Sequence, residues 1–276
     1  MAASVLSLTC YPVKGCAGVS LRASEAAEMG LRHDRAFLVV DGEGTFRSQR
    51  RTPAMAVIRP SVTEDGTHLT VTAPGAAEAV LPVVVDGDRR AVTMFGRPLG
   101  TAVDQGDAAA RWFSEVLGAP SRLVRVPPEF DRDGWGEHPG KVGFADAHAV
   151  LITSSASLDE LNRRIVQGGA EPVPMDRFRP NIVVTGWDEP HTEDRIRLLS
   201  VGGVRLGYAA RAIRCSVPLV DQETGRRSGP EPIRSLAGYR REPSYGGGVS
   251  FGVKAAVLRA GRVAVGDEVR VEDWQP

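Results

Sequence analysis

The chain has 276 residues, 42% hydrophobic and 25% charged, which is globular composition and length enough for one large domain or two ordinary ones. Lysine plus arginine total 34, as do aspartate plus glutamate. No net field therefore draws the protein to nucleic acid or to an anionic membrane, and any anion site has to be a local cluster of bases. The cysteines are three, Cys10, Cys16 and Cys215, and an odd count at such spacings argues against a disulfide framework and for a reducing cytoplasm.

The N-terminal "MAASVLSLTCYPVKG" lacks a basic segment followed by a continuous apolar one, so no secretory signal is expected. No run approaches the roughly 18 apolar residues of a membrane span. The first hundred residues alternate strands and turns. "SVLSLTCYPV" is strand-like, and "RAFLVVDGEGTFRS" pairs an apolar run with an Asp-Gly turn and a second strand. The same pattern recurs around Asp65-Gly66 and Asp86-Gly87. Three hairpin-like units at short intervals predict a small β-barrel or sandwich.

A helix is predicted in "DQGDAAARWFSEVLGA", where Trp112, Phe113, Val116 and Leu117 share one face and Gly118 and Pro120 end it. "VPPEFDRDGWGEHPGK" is rich in proline, glycine and charge, and reads as a long loop of the kind that carries function. Next come the strand "HAVLIT" and a helix in "SSASLDELNRRI", with a capping-box spacing from Ser157 to Glu160 and Leu158, Leu161 and Ile165 on one face. "NIVVTG", "IRLLSVGGVRLGYAARAIRC" and "VKAAVLRAGRVAVGDEVRV" read as strands with glycine turns. The whole is mainly β with a few helices.

The five histidines are scattered and none has His-Glu-x-x-His spacing; Cys-x-x-Cys, a Gly-x-Ser-x-Gly elbow and a Walker loop are also missing. The triple glycine Gly246-Gly247-Gly248, with no Lys-Ser/Thr after it, reads as a flexible loop. Four stretches contain charge that a core does not require: "YPVKGCAG" with Lys14; "GLRHDRAF" with Arg32, His33, Asp34 and Arg35; "DRFRPNIVV" with Arg177 and Arg179; and "AIRCSVPLVDQETG", where Arg211 and Arg214 precede Cys215. Taken singly, each base reads as a solvated surface charge. Arg179 stands at the edge of a buried β run, where solvation is hardest to keep. Arginine's planar fork suits bidentate binding of phosphate, and lysine adds a point charge.

These stretches, in this order and together with "FRPNIVVTGWDEP", "EPIRSLAGYRR" and "FGVKAAVLRAGRVAVGDEV", resemble the MOSC-domain proteins. The branch most similar is the one typified by the mitochondrial amidoxime-reducing component and its bacterial relatives. The resemblance covers nearly the whole chain. It implies two β-barrel domains, an N-terminal one over residues 1–121 and the MOSC domain over 122–276, with molybdenum cofactor (Mo-molybdopterin) between them. It also implies reduction of N-hydroxylated compounds such as amidoximes, hydroxylamines and hydroxylaminopurines.

By matched position, Cys215 is the expected protein ligand to molybdenum, a soft thiolate suited to a metal already bound by sulfur. Arg211 and Arg214 would favour its ionised form. Lys14, Gly15, Arg35, Arg179, Asn181 and Arg214 are the expected contacts to the cofactor. Thr153 and Ser154, at a strand-to-helix junction, are expected to offer hydroxyls and amides to an oxyanion. Asp221 is expected near the metal, orienting the cysteine's loop or handling a proton, and Phe251 and Gly252 at the closing part of the site. No Cys-x4-Cys-x2-Cys ferredoxin motif follows Cys215. Electrons are therefore expected from a separate protein of ferredoxin, flavoprotein or cytochrome type, in the cytoplasm, with no nucleic acid or membrane as partner. Two alternatives stay open: a cofactor carrier or a sulfur-transfer module with a persulfide on Cys215, and, more weakly, a pyridoxal-phosphate Schiff base on Lys14.

Overall fold

The computed structural model describes residues 2–275. Strands outweigh helices, and the longer helices are two, α1 (Gly106–Leu117) and α2 (Ser155–Gln167). Among the described residues no helix is long and apolar enough to cross a membrane.

The largest sheet has nine strands. Its core is the long antiparallel pair Val204–Ile213 and Gly248–Arg259, flanked on one side by Ile196–Val201 and Val269–Trp274. On the other side come Val150–Ser154 and Ile182–Thr185, which run parallel. A parallel pair cannot be joined by a tight turn, and α2 supplies the crossover. Leu161 and Ile165 are buried against Phe178, Leu236 and Phe251, with Leu158 partly buried beside them. The periodicity thus finds the helix, but its cap lies three residues earlier than the capping box predicts. Ser154 Oγ accepts from the Ser157 amide, while Glu160 is taken by Arg163 and Arg164.

The sheet does not stop at the second half of the chain. The first strand, Ser4–Cys10, pairs antiparallel with Ile182–Thr185, and Val19–Leu21 extends the edge. Ala23–Ala27 pairs with Gly261–Ala264. Val5, Leu8, Ala26 and Leu31 accordingly share one core with Val184, Leu206 and Val253. Burial of such side chains supplies about 1.5–3 kcal/mol each. These long-range pairings clamp the two halves together, and the turn after the first strand crosses their junction.

The rest of the first half forms two smaller sheets. One orders Phe37–Val40, Arg122–Arg125, Arg97–Asp104 and Arg89–Met94; the other orders Arg59–Val62, His68–Thr72 and Ala79–Pro82. Helix α1 covers them with Phe113 and Ala109 fully buried, and ends at Gly118 in the left-handed region as predicted. The Asp65-Gly66 hairpin forms. The Asp86-Gly87 hairpin does not, because Ala79–Pro82 pairs back to His68–Thr72 and Arg89–Met94 pairs forward to Arg97–Asp104. Residues 83–88 instead cross between two sheets, and the hairpin turn lies at Phe95-Gly96. After Asp41–Gly44 the return strand is reduced to isolated bridges, since its residues divide their pairing between Val40 and Thr93. The first strand also meets the segment leading into Val269–Trp274, through an isolated bridge between Ser4 and Glu268 and backbone bonds from the Val5 amide to Asp267, the Gly266 amide to Val5 and the Val269 amide to Ala3. A closed barrel, the expected form, is not found.

Candidate active site

A cavity of about 150 Å³ opens where the two halves meet. Four short segments deliver its cations. Lys14 sits on the turn after the first strand, its amide donating to the Phe37 carbonyl. Gly15 follows at φ +84°, where a Cβ would stand 3.1 Å from Met55 Cε. Arg35 and Arg179 both have positive φ, +47° and +57°, a region that costs a bulky residue of order 1–3 kcal/mol and that persists at sites of function. Arg214 ends the long strand pair beside the half-buried Cys215.

The guanidiniums of Arg35 and Arg179 lie 4.3 and 4.2 Å from the centre of the Tyr11 ring. Burial pushes the Tyr11 phenol up to about 12 against the pull of both arginines, so the hydroxyl stays protonated and donates to the Pro180 carbonyl. Arg35 Nη1 donates to Asp34 at 2.5 Å and to Asn181 Oδ1 at 2.9 Å. Arg179 Nη2 donates to the Cys16 carbonyl at 2.6 Å and Nη1 to Gln222 at 3.1 Å. Arg214 Nη2 donates to the Phe178 carbonyl at 2.8 Å, while its buried Nε has no partner among the described residues.

The charge balance of the lining is lopsided. Lys14, Arg35, Arg50, Arg179, Arg214 and Lys254 face the cavity together with one carboxylate, Asp146, which pairs with Lys14. Burial holds Lys14, Arg179, Arg214 and Lys254 below their ordinary pKa values. Asp34 pairs with Arg35 from behind the lining, so two carboxylates balance these cations, and removing the remaining ones from water is unfavourable unless an anion arrives to pair with them. Oxyanions with several oxygens fit this forked donor set best. No cluster of three His, Cys, Asp or Glu side chains that could hold a metal ion exists among the described residues. A metal held at Cys215 would therefore have to bring most of its donors with it.

Residues 2–120 match the MOSC N-terminal beta barrel domain family, and residues 139–270 match the MOSC domain family. The chain belongs to the MOSC family. It is 32% identical to human "Mitochondrial amidoxime-reducing component 1" and 33% identical to bovine "Mitochondrial amidoxime reducing component 2", covering 96% of this chain and 82% of each relative. It is also 31% identical to the zebrafish "Molybdenum cofactor sulfurase", over 92% of this chain and 32% of that longer protein.

Of the residues expected in this MOSC chain's site, Lys14, Gly15, Arg35, Arg179, Asn181, Arg214 and Cys215 line the one cavity. Asn181 differs in role. Its Oδ1 accepts from Arg35 and from the Leu151 amide, and its Nδ2 donates to the Thr9 carbonyl and to Asp34. It therefore positions Arg35 and joins three strands. Arg211 is absent from the lining. Its guanidinium pairs with buried Asp194, which also takes Arg240, so of the two arginines just ahead of the thiol Arg214 alone lines the cavity with it.

Five further expected residues lie outside the cavity lining, and of these Asp221 orders the turn after Cys215, one of the two roles expected of it. Thr153 is fully buried and donates to Met175 Sδ. Ser154 caps α2 and donates to Glu193 at 2.9 Å. Both hydroxyls are used inside the fold. Phe251 is fully buried and stacks on Phe178 with ring centres 3.9 Å apart. Gly252 has φ +76°, and a Cβ there would stand 2.6 Å from the Ile152 carbonyl oxygen, so it permits close strand approach. Asp221 lies outside the cavity. Its Oδ2 accepts from Arg177, and its Oδ1 from the Thr224 amide and hydroxyl, which folds the "VDQETG" turn. That turn presents Gln222 to Arg179 and Gln49.

Sequence reasoning missed Asp146, His148, Lys254, Arg50 and the aromatic pair Phe46 and Phe95. Asp146 and His148 end the long loop between Arg122–Arg125 and Val150–Ser154. His148 Nε2 contacts the Trp135 carbonyl at 2.5 Å, its Nδ1 is buried without a partner among the described residues, and burial brings its pKa down to about 4. Lys254 carried a readable signal, a lysine inside the apolar run "FGVKAAV", the same argument that singled out Arg179.

Proposed function

We propose that the cavity holds a molybdenum cofactor and that the protein reduces N-hydroxylated compounds, amidoximes, hydroxylamines and hydroxylaminopurines among them, with electrons from a separate donor protein of ferredoxin, flavoprotein or cytochrome type. The observation that carries this reading is the set of six cations around a single half-buried thiol. That donor set fits a pterin that brings two sulfurs to its metal and ends in a phosphate. The kinship with amidoxime-reducing components supports the reaction type.

When bound, the cofactor supplies the redox metal that takes oxygen from an N–O group. Everything else falls to the chain. Cys215 ligates the metal. Lys14, Arg35, Arg179 and Arg214 neutralise the phosphate, with Gly15 letting the backbone approach. Asp34, Asn181 and Gln222 hold the arginines in place. Asp146 pairs with Lys14, and against the upward push of burial that cation holds its carboxyl well below the usual range, so it faces the cavity as a carboxylate. His148 is neutral near pH 7 and adds no charge to an already cationic wall.

Cys215→Ala, produced in a host that makes the cofactor, should lose benzamidoxime reduction driven by a reduced dye while its melting temperature stays within a few degrees of wild type. Retained turnover would reject Cys215 as the metal ligand. The likeness to molybdenum cofactor sulfurase favours a second reading, a sulfur carrier with a persulfide on Cys215. Intact mass measured before and after reduction distinguishes it, through a 32-Da gain on a protein free of pterin.

A further inference from the structure

The turn that the sequence could not place carries an unexplained aromatic. Met94 pairs with Arg97, which leaves Phe95 and Gly96 as a two-residue hairpin loop with φ +55° and +74°. This is the geometry of a type I′ turn, which asparagine followed by glycine adopts most readily. A phenylalanine at the first position is strained, and β-carbon crowding in this region costs a bulky side chain about 1 kcal/mol or more. Burial does not offset that cost, since Phe95 is 47% exposed. Its neighbours Gly96 and Arg97 are exposed too.

The ring nevertheless has a defined place. It meets the edge of Phe46 with centres 5.6 Å apart and planes at 78°. Arg50 Cζ lies 5.1 Å and Lys14 Nζ 5.7 Å from its centre. Phe95 lines the same cavity as Cys215 and its six cations. A strained, half-exposed aromatic fixed at the rim of a cationic cavity has a role if something planar and apolar lies against it.

We propose that Phe95 is a specificity-determining residue: its ring forms a stacking wall at the cavity mouth that selects N-hydroxylated substrates with a planar aromatic or heteroaromatic body over small aliphatic ones. The proposal rests on the reductase reading above and adds a substrate preference to it. Face-to-face or edge contact between rings adds modestly to the burial of their area, so the preference is a matter of about tenfold.

The test compares wild type with Phe95→Asn and Phe95→Tyr on benzamidoxime and acetamidoxime, in protein loaded with cofactor. Phe95→Asn should lower the aryl-to-alkyl ratio of kcat/KM about tenfold, which is about 1.4 kcal/mol, mostly through the aryl KM. It should also raise the melting temperature, because asparagine relaxes the turn. Phe95→Tyr should keep the wild-type ratio. An unchanged ratio in Phe95→Asn overturns the proposal, as does an equal loss on both substrates. If wild type reduces neither compound, the reductase reading fails, and calorimetry with benzamide and acetamide then decides this one. Weaker benzamide binding in Phe95→Asn supports it, and equal binding overturns it.

Discussion

Replacing His148 by glutamine tests the electrostatics of the cavity without touching a proposed cofactor ligand. The ring is 6% exposed, and burial lowers its pKa from 6.5 to about 4, with Lys254 and Arg132 adding to the shift and the Trp135 carbonyl opposing it. The unfolded chain therefore binds more protons than the folded one between these values, and stability falls as the pH drops through that window. Linkage across this shift gives a loss of about 2 kcal/mol between pH 7 and pH 5 for a fully sequestered ring, and about 1 kcal/mol if the cavity stays partly hydrated. His191, also lowered to about 4 by burial first and Arg240 second, adds a loss of the same sign. Glu193, raised by burial, works in the opposite direction, since its stabilising effect grows as the pH falls. Both are common to variant and wild type and cancel in the comparison. Urea unfolding of the cofactor-free proteins at pH 7 and pH 5 should show His148→Gln losing about 1–2 kcal/mol less than wild type over that interval. Equal losses would mean that His148 is already protonated, or solvated, in the folded cavity.

Phe251→Ala should lower stability by about 3–5 kcal/mol, the usual cost of emptying a fully buried aromatic site, as measured by denaturant unfolding of the cofactor-free protein. Ser154→Ala removes the α2 cap and one partner of Glu193, and should cost about 1–2 kcal/mol in the same measurement, with pterin content per folded chain unchanged. Inorganic pyrophosphate should raise the melting temperature of the cofactor-free protein by mass action on the folded state, and Arg179→Gln should remove most of that rise. A rise of equal size in Arg179→Gln would exclude Arg179 from the anion site.

Lys14, Arg35, Arg179 and Arg214 are legible in the chain through its resemblance to a family more than through local rules. Taken singly, Lys14, Arg35 and Arg214 read as surface charges and only Arg179 stands out at the edge of a buried β run; it is the ordered motifs resembling the MOSC-domain proteins that join them into one site. Helix α1 and the Asp65-Gly66 hairpin were equally legible, since period and turn chemistry act within a few residues. What stayed hidden depends on distant pairing. Nothing near Ser4–Cys10 announces Ile182–Thr185 as its neighbour, so the strand exchange between the halves could not be foreseen. Phe95 hid the true hairpin because a bulky residue occupies a position that calls for asparagine or glycine. Asp146 and His148 lie in a loop with no periodicity to place them. Thr153 and Ser154 misled for a physical reason: a strand-to-helix junction needs a capping hydroxyl whether or not an anion binds there.

The most direct test of the account is the content of the protein purified from a host that synthesises molybdenum cofactor. Elemental analysis for molybdenum and fluorescence of the oxidised pterin should each give about one equivalent per chain, falling sharply for pterin in Arg179→Gln and for molybdenum in Cys215→Ala. Wild-type protein that folds and yet carries neither molybdenum nor pterin would contradict the central claim that this cationic cavity, with its single thiol, is a molybdenum cofactor site.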